Sequence, residues 1–172
     1  MSLKLPSCLL LGALLFSSKA VFADWSVDFS VGAANSGHSN FKSAKGITDV
    51  TIGYQFEDWR LFIGSTHLKE FELEDFATEA SVAMRAHSLG AGYVIEYDFF
   101  NVNLSGGATY FQSEAKLADF TVEETNDTGA FADVSVLAPI GDNLSLKLSG
   151  KYTSEVSGAN ISQLTLGFRY DF

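Results

Sequence analysis

Between Thr165 and Phe172 the chain places Leu166, Phe168, Tyr170 and Phe172 at alternate positions, with Thr165, Gly167, Arg169 and Asp171 between them. Successive side chains of a β-strand point to opposite faces, so this stretch, extended, has one apolar, aromatic face and one polar face. The apolar recurrence at i, i+3, i+4 and i+7 that marks an amphipathic helix is sustained nowhere after Ala23, whereas period two recurs along the whole chain. The chain is therefore all-β, and each strand needs a different environment for each of its faces. Termini are usually polar and frayed, and a strand with an oily face ending on phenylalanine suits the closing strand of a barrel in a membrane.

Seven earlier segments repeat the alternation. Residues 25–33 set Trp25, Val27, Phe29, Val31 and Ala33 against Ser26, Asp28, Ser30 and Gly32. Residues 48–56 set Val50, Ile52, Tyr54 and Phe56 against Asp49, Thr51, Gly53 and Gln55. Residues 59–67 carry Trp59, Leu61, Ile63, Ser65 and His67 on one face, and Phe62 interrupts the polarity of the other. Further strands are expected over 85–97, 102–110, 130–138 (closed by Pro139) and 144–152, where Leu144, Leu146, Leu148 and Tyr152 oppose Ser145, Lys147, Ser149 and Lys151. The connections alternate: long at 35–46, short at Glu57-Asp58, long and acidic at 68–84, short at 98–101, long and acidic at 112–128, short at 141–143, intermediate at 154–160. Eight strands with brief turns at one end and long loops at the other describe an up-and-down antiparallel barrel, with turns and termini on the periplasmic side of an outer membrane.

Residues 1–23 carry the marks of a secretory signal. Lys4 precedes an apolar run from Cys8 to Phe16, and Ala23 stands at the expected cleavage point. The run falls well short of the roughly 20 residues a spanning helix needs. Cys8 opens the run, whereas a lipoprotein cysteine would follow it, so Cys8 belongs to the signal. It is the sole cysteine, and the exported domain, 24–172, must be stabilised by packing, hydrogen bonding or the membrane. The sequence holds 11 Lys and Arg against 21 Asp and Glu, a formal charge of −10. Loss of Lys4 and Lys19 with the signal makes the rest more acidic still. This balance argues against nucleic acid and against docking onto an anionic lipid surface by charge.

Period two also fits a soluble, lipocalin-like barrel with its apolar faces inside. Residue content decides between the two. The polar faces hold Asp28, Asp49, Glu96, Asp133, Lys147, Lys151, Arg169 and Asp171, while the apolar faces carry no acid or lysine within the expected spans. Eight oily faces suit lipid better than water. Aromatic residues also gather at strand ends, with Trp25, Phe56, Trp59, Tyr97, Tyr170 and Phe172 at the turn end and Tyr110 and Tyr152 at the loop end. Such rings favour the two interfacial zones of a bilayer.

In this arrangement the chain resembles the small eight-stranded outer-membrane β-barrels of the OmpA/OmpX type, and among them the isolated-barrel members. The resemblance covers residues 24–172 as architecture. It is most specific at the C-terminus, where Thr165, Gly167, Tyr170 and Phe172 match the family's assembly signal. It implies that these four residues are read by the barrel-assembly machinery, and that the protein is an integral outer-membrane protein among membrane lipids and lipopolysaccharide.

Three groups of residues could carry function. Asp28, Asp49, Glu96 and Asp133, facing Lys147, Lys151 and Arg169, would form an interior charge network, since an eight-stranded barrel is just wide enough to be filled by side chains. Its plain reading is a paired structural plug; its functional reading is a narrow ion channel. The acidic loops, with Glu70, Glu72, Glu74 and Asp75 and with Glu123, Glu124 and Asp127, could meet an extracellular partner or take up divalent cations, but a charge run is most simply a solvated face. Ser65, His67 and His87 are the residues that would carry a lipid A-modifying hydrolase, because a nucleophile and base must share a face near the outer leaflet. Their plain reading is interfacial polar residues, and no catalytic residue is assigned. The sequence thus leads to a monomeric barrel without metal or cofactor and with a structural or adhesin-like role; a lipid-modifying enzyme and a narrow channel are the alternatives.

Overall fold

The computed structural model describes residues 25–37, 44–72, 80–117, 120–156 and 159–172. Eight strands run in chain order: β1 (Trp25–Ser36), β2 (Ala44–Phe56), β3 (Trp59–Glu72), β4 (Ala80–Glu96), β5 (Asn101–Leu117), β6 (Phe120–Pro139), β7 (Leu144–Val156) and β8 (Ala159–Asp171). Each pairs antiparallel with its sequence neighbours, and β8 returns to β1 to close the barrel. The segment 1–23, Cys8 and His38 lie outside the described residues.

Burial is inverted relative to a water-soluble protein. Asp28, Ser30, Thr66, Thr109, Ser135 and Thr153 are buried, while Phe29, Ile63, Leu89, Leu164 and Leu166 are about half exposed or more. A soluble barrel would bury the second set, so the lipid-facing assignment holds. The strands exceed the expected spans because the ladders continue past the membrane. Within 112–128, expected as a loop, residues 112–117 and 120–128 instead continue β5 and β6, which stay paired to Leu117↔Phe120. Cross-strand hydrogen bonding continues wherever two strands have partners, and the acidic side chains can stand in water on either side of it. In the same way β3 and β4 take up both ends of 68–84.

The lumen is not polar throughout. At the loop end, Ala34, Ile47, Leu68, Ala86, Phe111 and Ile161 point inward and form a buried apolar cluster, with Met84 packed against it. These residues have the inward parity of their strands, but the apolar–polar alternation fades there because the outward face has left the hydrocarbon and no longer has to be oily.

The turn end carries the aromatic girdle. Trp25 packs on Tyr54 with ring centroids 5.2 Å apart, Trp59 on Tyr93 at 5.4 Å, Tyr97 on Phe100 at 4.8 Å and Tyr170 on Phe172 at 5.1 Å. The Asp58 carbonyl accepts from Val94 N–H at 2.7 Å, and its carboxylate accepts from Tyr93 Oη at 3.1 Å. Phe172 lies just beyond β8, and its N–H donates to the Trp25 carbonyl at 3.0 Å, so the last residue is bonded to the first strand. Both tryptophans of the chain belong to this girdle. Their fluorescence in reconstituted vesicles is expected to be quenched more by lipids brominated near the headgroup than by lipids brominated at the chain end; the opposite order would remove the girdle.

Candidate functional site

The lumen is built around Asp28 on β1, whose side chain is fully buried. Arg169 stands directly opposite it in the β1–β8 register and donates from Nε to Oδ1 at 2.8 Å and from Nη2 to Oδ2 at 3.2 Å. Lys147 on β7 donates from Nζ to Oδ2 at 2.7 Å. Arg60 on β3 reaches across β2 to donate from Nη2 to Oδ1 at 3.2 Å, and its Nε and Nη2 also donate to Ser26 Oγ at 3.3 and 3.0 Å. One carboxylate thus holds three cations. An unpaired ion in such a site would cost several kcal/mol, and the repulsion among three cations is offset only while Asp28 stays ionised between them.

Two glycines make these approaches possible. Arg60 passes over Gly53, where an added Cβ would overlap the guanidinium group. At Gly167 an added Cβ would overlap the backbone of Phe29 and Ser30, so no side chain fits on this inward position where β8 meets β1. Gly167, a residue of the C-terminal motif, therefore has a packing role independent of any recognition.

The remaining charges are solvated by hydroxyl groups. Asp49 accepts from Thr66 Oγ1 at 2.6 Å and from Thr51 Oγ1 at 3.1 Å. Asp133 accepts from Ser105 Oγ at 3.2 Å and from Ser149 Oγ. Lys151 faces Asp133 across the β6–β7 register, yet it donates to Ser88 Oγ at 2.8 Å and lies over the Phe131 ring, 4.4 Å from its centre. Asp28, Lys147 and Arg169 are therefore brought together, whereas Asp49, Asp133 and Lys151 have separate polar partners. Glu96 has inward parity but stands exposed at the turn end of β4, where water solvates it, so it does not join the network. Arg60 joins Asp28 as a cation beyond those expected from the cleaner strands. Its signal was available, because it alternates with Trp59 and Leu61.

The free space confirms how full the interior is. The central lumen, lined by Arg60, Phe62, Asp133, Lys147 and Lys151 among others, holds only about 40 Å³. A separate vestibule of about 290 Å³ opens at the turn end, bounded by Gln55, Glu57, Asn101, Ser145, Arg169 and Asp171. The Asp28 cluster stands between the two, and the apolar cluster closes the lumen toward the loops.

On the outer surface the register sets Ser65 opposite His87 and His67 opposite Arg85. All four side chains are exposed. No hydrogen bond links Ser65 to either histidine among the described residues, nor do three or more His, Cys, Asp or Glu residues there assemble into a metal-holding group. The side chains of Glu70, Glu72, Glu74, Asp75, Glu123 and Glu124 lie outside the described residues.

A closed, eight-stranded antiparallel barrel with a paired polar interior and an apolar outer belt is the fold of the small outer-membrane β-barrels of the OmpA/OmpX type. Solved structures place the chain there. Neisserial surface protein A matches with a TM-score of 0.67 at 16% identity, covering 86% of this chain and 97% of its own. The N-terminal barrel of Pseudomonas aeruginosa OprF matches with a TM-score of 0.62 at 17% identity, over 86% and 97%. Ail, the attachment invasion locus protein of Yersinia pestis, matches with a TM-score of 0.59 at 17% identity, over 87% and 99%. No protein-family model and no curated protein sequence matches the chain.

Replacing Asp28 with alanine strands three cations in the lumen and is expected to destabilise the barrel by roughly 3–5 kcal/mol, read as a lower urea midpoint for unfolding from vesicles. Gly53→Val, which removes no charge, is expected to lower that midpoint as well by displacing Arg60. A midpoint unchanged in both variants would show that the cluster contributes nothing.

Proposed function

We propose that this protein is a non-conducting outer-membrane barrel whose role is to present an acidic hairpin at the cell surface to a basic partner. The observation that carries this reading is the mismatch between two ladders. The β6–β7 pairing ends at Phe131↔Thr153, but β5 and β6 stay paired to Leu117↔Phe120. At about 3.3 Å per residue, residues 120–130 of β6 continue for roughly 35 Å past the last described β7 partner. By sequence the hairpin carries Glu114, Asp119, Glu123, Glu124 and Asp127 against Lys116, so charge complementarity selects a basic surface. One Ail structure is a complex with the heparin analogue sucrose octasulfate; the acidity of the present hairpin makes such a polyanion an unsuitable ligand for it.

Ser113 and Thr125 are register partners, so a variant joining them by Asn-Gly in place of residues 114–124 keeps the barrel and removes the hairpin's outer part. Cells displaying the intact protein are expected to adhere several-fold better to a surface coated with a basic protein than cells displaying this variant. Equal adherence would remove the hairpin's role. The barrel itself is read separately, by a change in electrophoretic mobility between unheated and boiled samples. In planar bilayers the sealed lumen is expected to give no large stable conductance.

The C-terminal strand is proposed to serve as the label read during assembly, through Thr165, Gly167, Tyr170 and Phe172. Deletion of Phe172 is expected to reduce the amount inserted more than deletion of any single hairpin residue; normal insertion would show that its hydrogen bond to Trp25 and its aromatic contact are dispensable. A lipid-modifying activity is supported by one observation, the Ser65–His87 register, and among the described residues no group is hydrogen-bonded to either histidine to orient it as a base. The acyl pattern of lipid A is expected to be the same with and without the gene.

A further inference from the structure

Five arginine and lysine side chains lie among those described, and four of them, Arg60, Lys147, Lys151 and Arg169, point into the lumen. Arg85 is the exception. It is exposed on the outer face of β4, between His67 on β3 and Gln112 on β5 in the register. His87, the other described histidine, shares that face one step toward the membrane. It belongs to a row that runs Ser65, His87, Tyr110 and Thr128 across four strands. Every outward group among the described side chains that can carry positive charge is thus on one patch.

Height places the patch. Tyr97 marks the turn-end girdle and Arg85 is twelve residues further along β4. With a rise of about 3.3 Å per residue and a tilt of about 40°, the axial separation is roughly 30 Å, slightly more than the apolar band of about 25 Å that such barrels present to lipid. Arg85 therefore stands at headgroup level of the outer leaflet, and Tyr110 marks the near edge of the hydrocarbon. Directly below lies a groove of about 540 Å³ whose walls include Val50, Ile52, Ile63, Leu89 and Tyr110, with the small residues Ser65 and Ala108 forming part of its floor. The groove is open along its outer side, toward the lipid.

We propose that this patch binds a phosphorylated glycolipid of the outer leaflet, its phosphate held by Arg85 with His67 and one acyl chain lying in the groove below. A guanidinium group matches phosphate geometry, and the hydroxyl, imidazole and amide groups of Ser65, His87, Thr128 and Gln112 offer a sugar headgroup the hydrogen-bonding partners that a glycerol headgroup would leave unused. The domain's overall acidity keeps anionic lipid from coating it generally and favours this patch, the one outward basic group of side chains among those described. Glu114, one register step beyond Arg85, bounds the patch on its water side. The proposal rests on the outer-membrane reading and is independent of the hairpin's role.

The test is native mass spectrometry of the folded barrel released from micelles containing diphosphorylated lipid A. The wild type is expected to retain lipid A at about tenfold lower concentration than Arg85→Gln, as loss of one charge-assisted contact implies, and Arg85→Lys is expected to recover part of the difference. Ala108→Trp, which fills the groove and leaves the charge intact, is expected to weaken retention too. Dephosphorylated lipid A should bind the wild type no better than Arg85→Gln binds lipid A, and phosphatidylglycerol should not displace it. Equal retention by wild type and Arg85→Gln, or displacement by phosphatidylglycerol as readily as by lipid A, would overturn the site. These changes lie on the outer surface, so the heat-dependent mobility shift should survive in each variant. If Arg85→Gln does not fold, the pair His67→Gln with His87→Gln tests the same patch. A wild type lacking that shift would instead refute the outer-membrane reading.

Discussion

The structure depends on the return of β8 to β1. Inside a hydrocarbon layer no water is available to an unpaired backbone N–H or carbonyl, and an open sheet edge would leave a whole row of them. Closure by the ladder from Ser26↔Asp171 to Ser36↔Ile161 removes both edges at once. Most other features serve that ladder. Gly167 allows β8 to approach β1, Arg169 pairs with Asp28 across the same seam, and Phe172 extends the seam by one hydrogen bond beyond the last strand. The C-terminal alternation is thus one half of the joint that makes the barrel possible.

Closing eight strands creates a second demand, a narrow interior that must be filled. This chain fills it in layers. Ions and hydroxyl groups occupy the middle, where Asp28 gathers Arg60, Lys147 and Arg169, and apolar residues occupy the loop end, where Phe111, Ile47, Leu68 and Ile161 meet. A charged middle suits the part of the wall that has lipid outside, because alternation there reserves the oily residues for the exterior. Above the membrane the outer face is wet, so the inner face can bury apolar groups as an ordinary protein core does. The two layers fill the lumen by different physics, ion pairing in one and close packing in the other.

Much of this was legible in the sequence. The strand count, the antiparallel order, the outward aromatic rings and the inward charges all follow from period two and the spacing of turn residues. The inner apolar cluster was not, because Ile47, Leu68 and Ile161 lie beside or within the expected loops, where the alternation weakens. The 112–128 hairpin was hidden for a related reason. Its acidic residues mimic a solvated loop, although a ladder needs only a partner strand and not an oily face. Arg60 was legible by parity alone, yet its partnership with Asp28 was not, since the two are 32 positions apart and on strands that do not pair.

The sequence by itself determined which face of each strand meets lipid and which residues can enter the lumen, because alternation is a local property of an extended chain. Only the tertiary structure decided which charges pair. Asp28 takes three cations, while Lys151 turns from Asp133 to Ser88 and Glu96 remains at the rim. Only the register between strands brought His67 beside Arg85 and Ser65 beside His87. Partner choice depends on the shear and closure of the whole barrel, and those are set by all eight strands together.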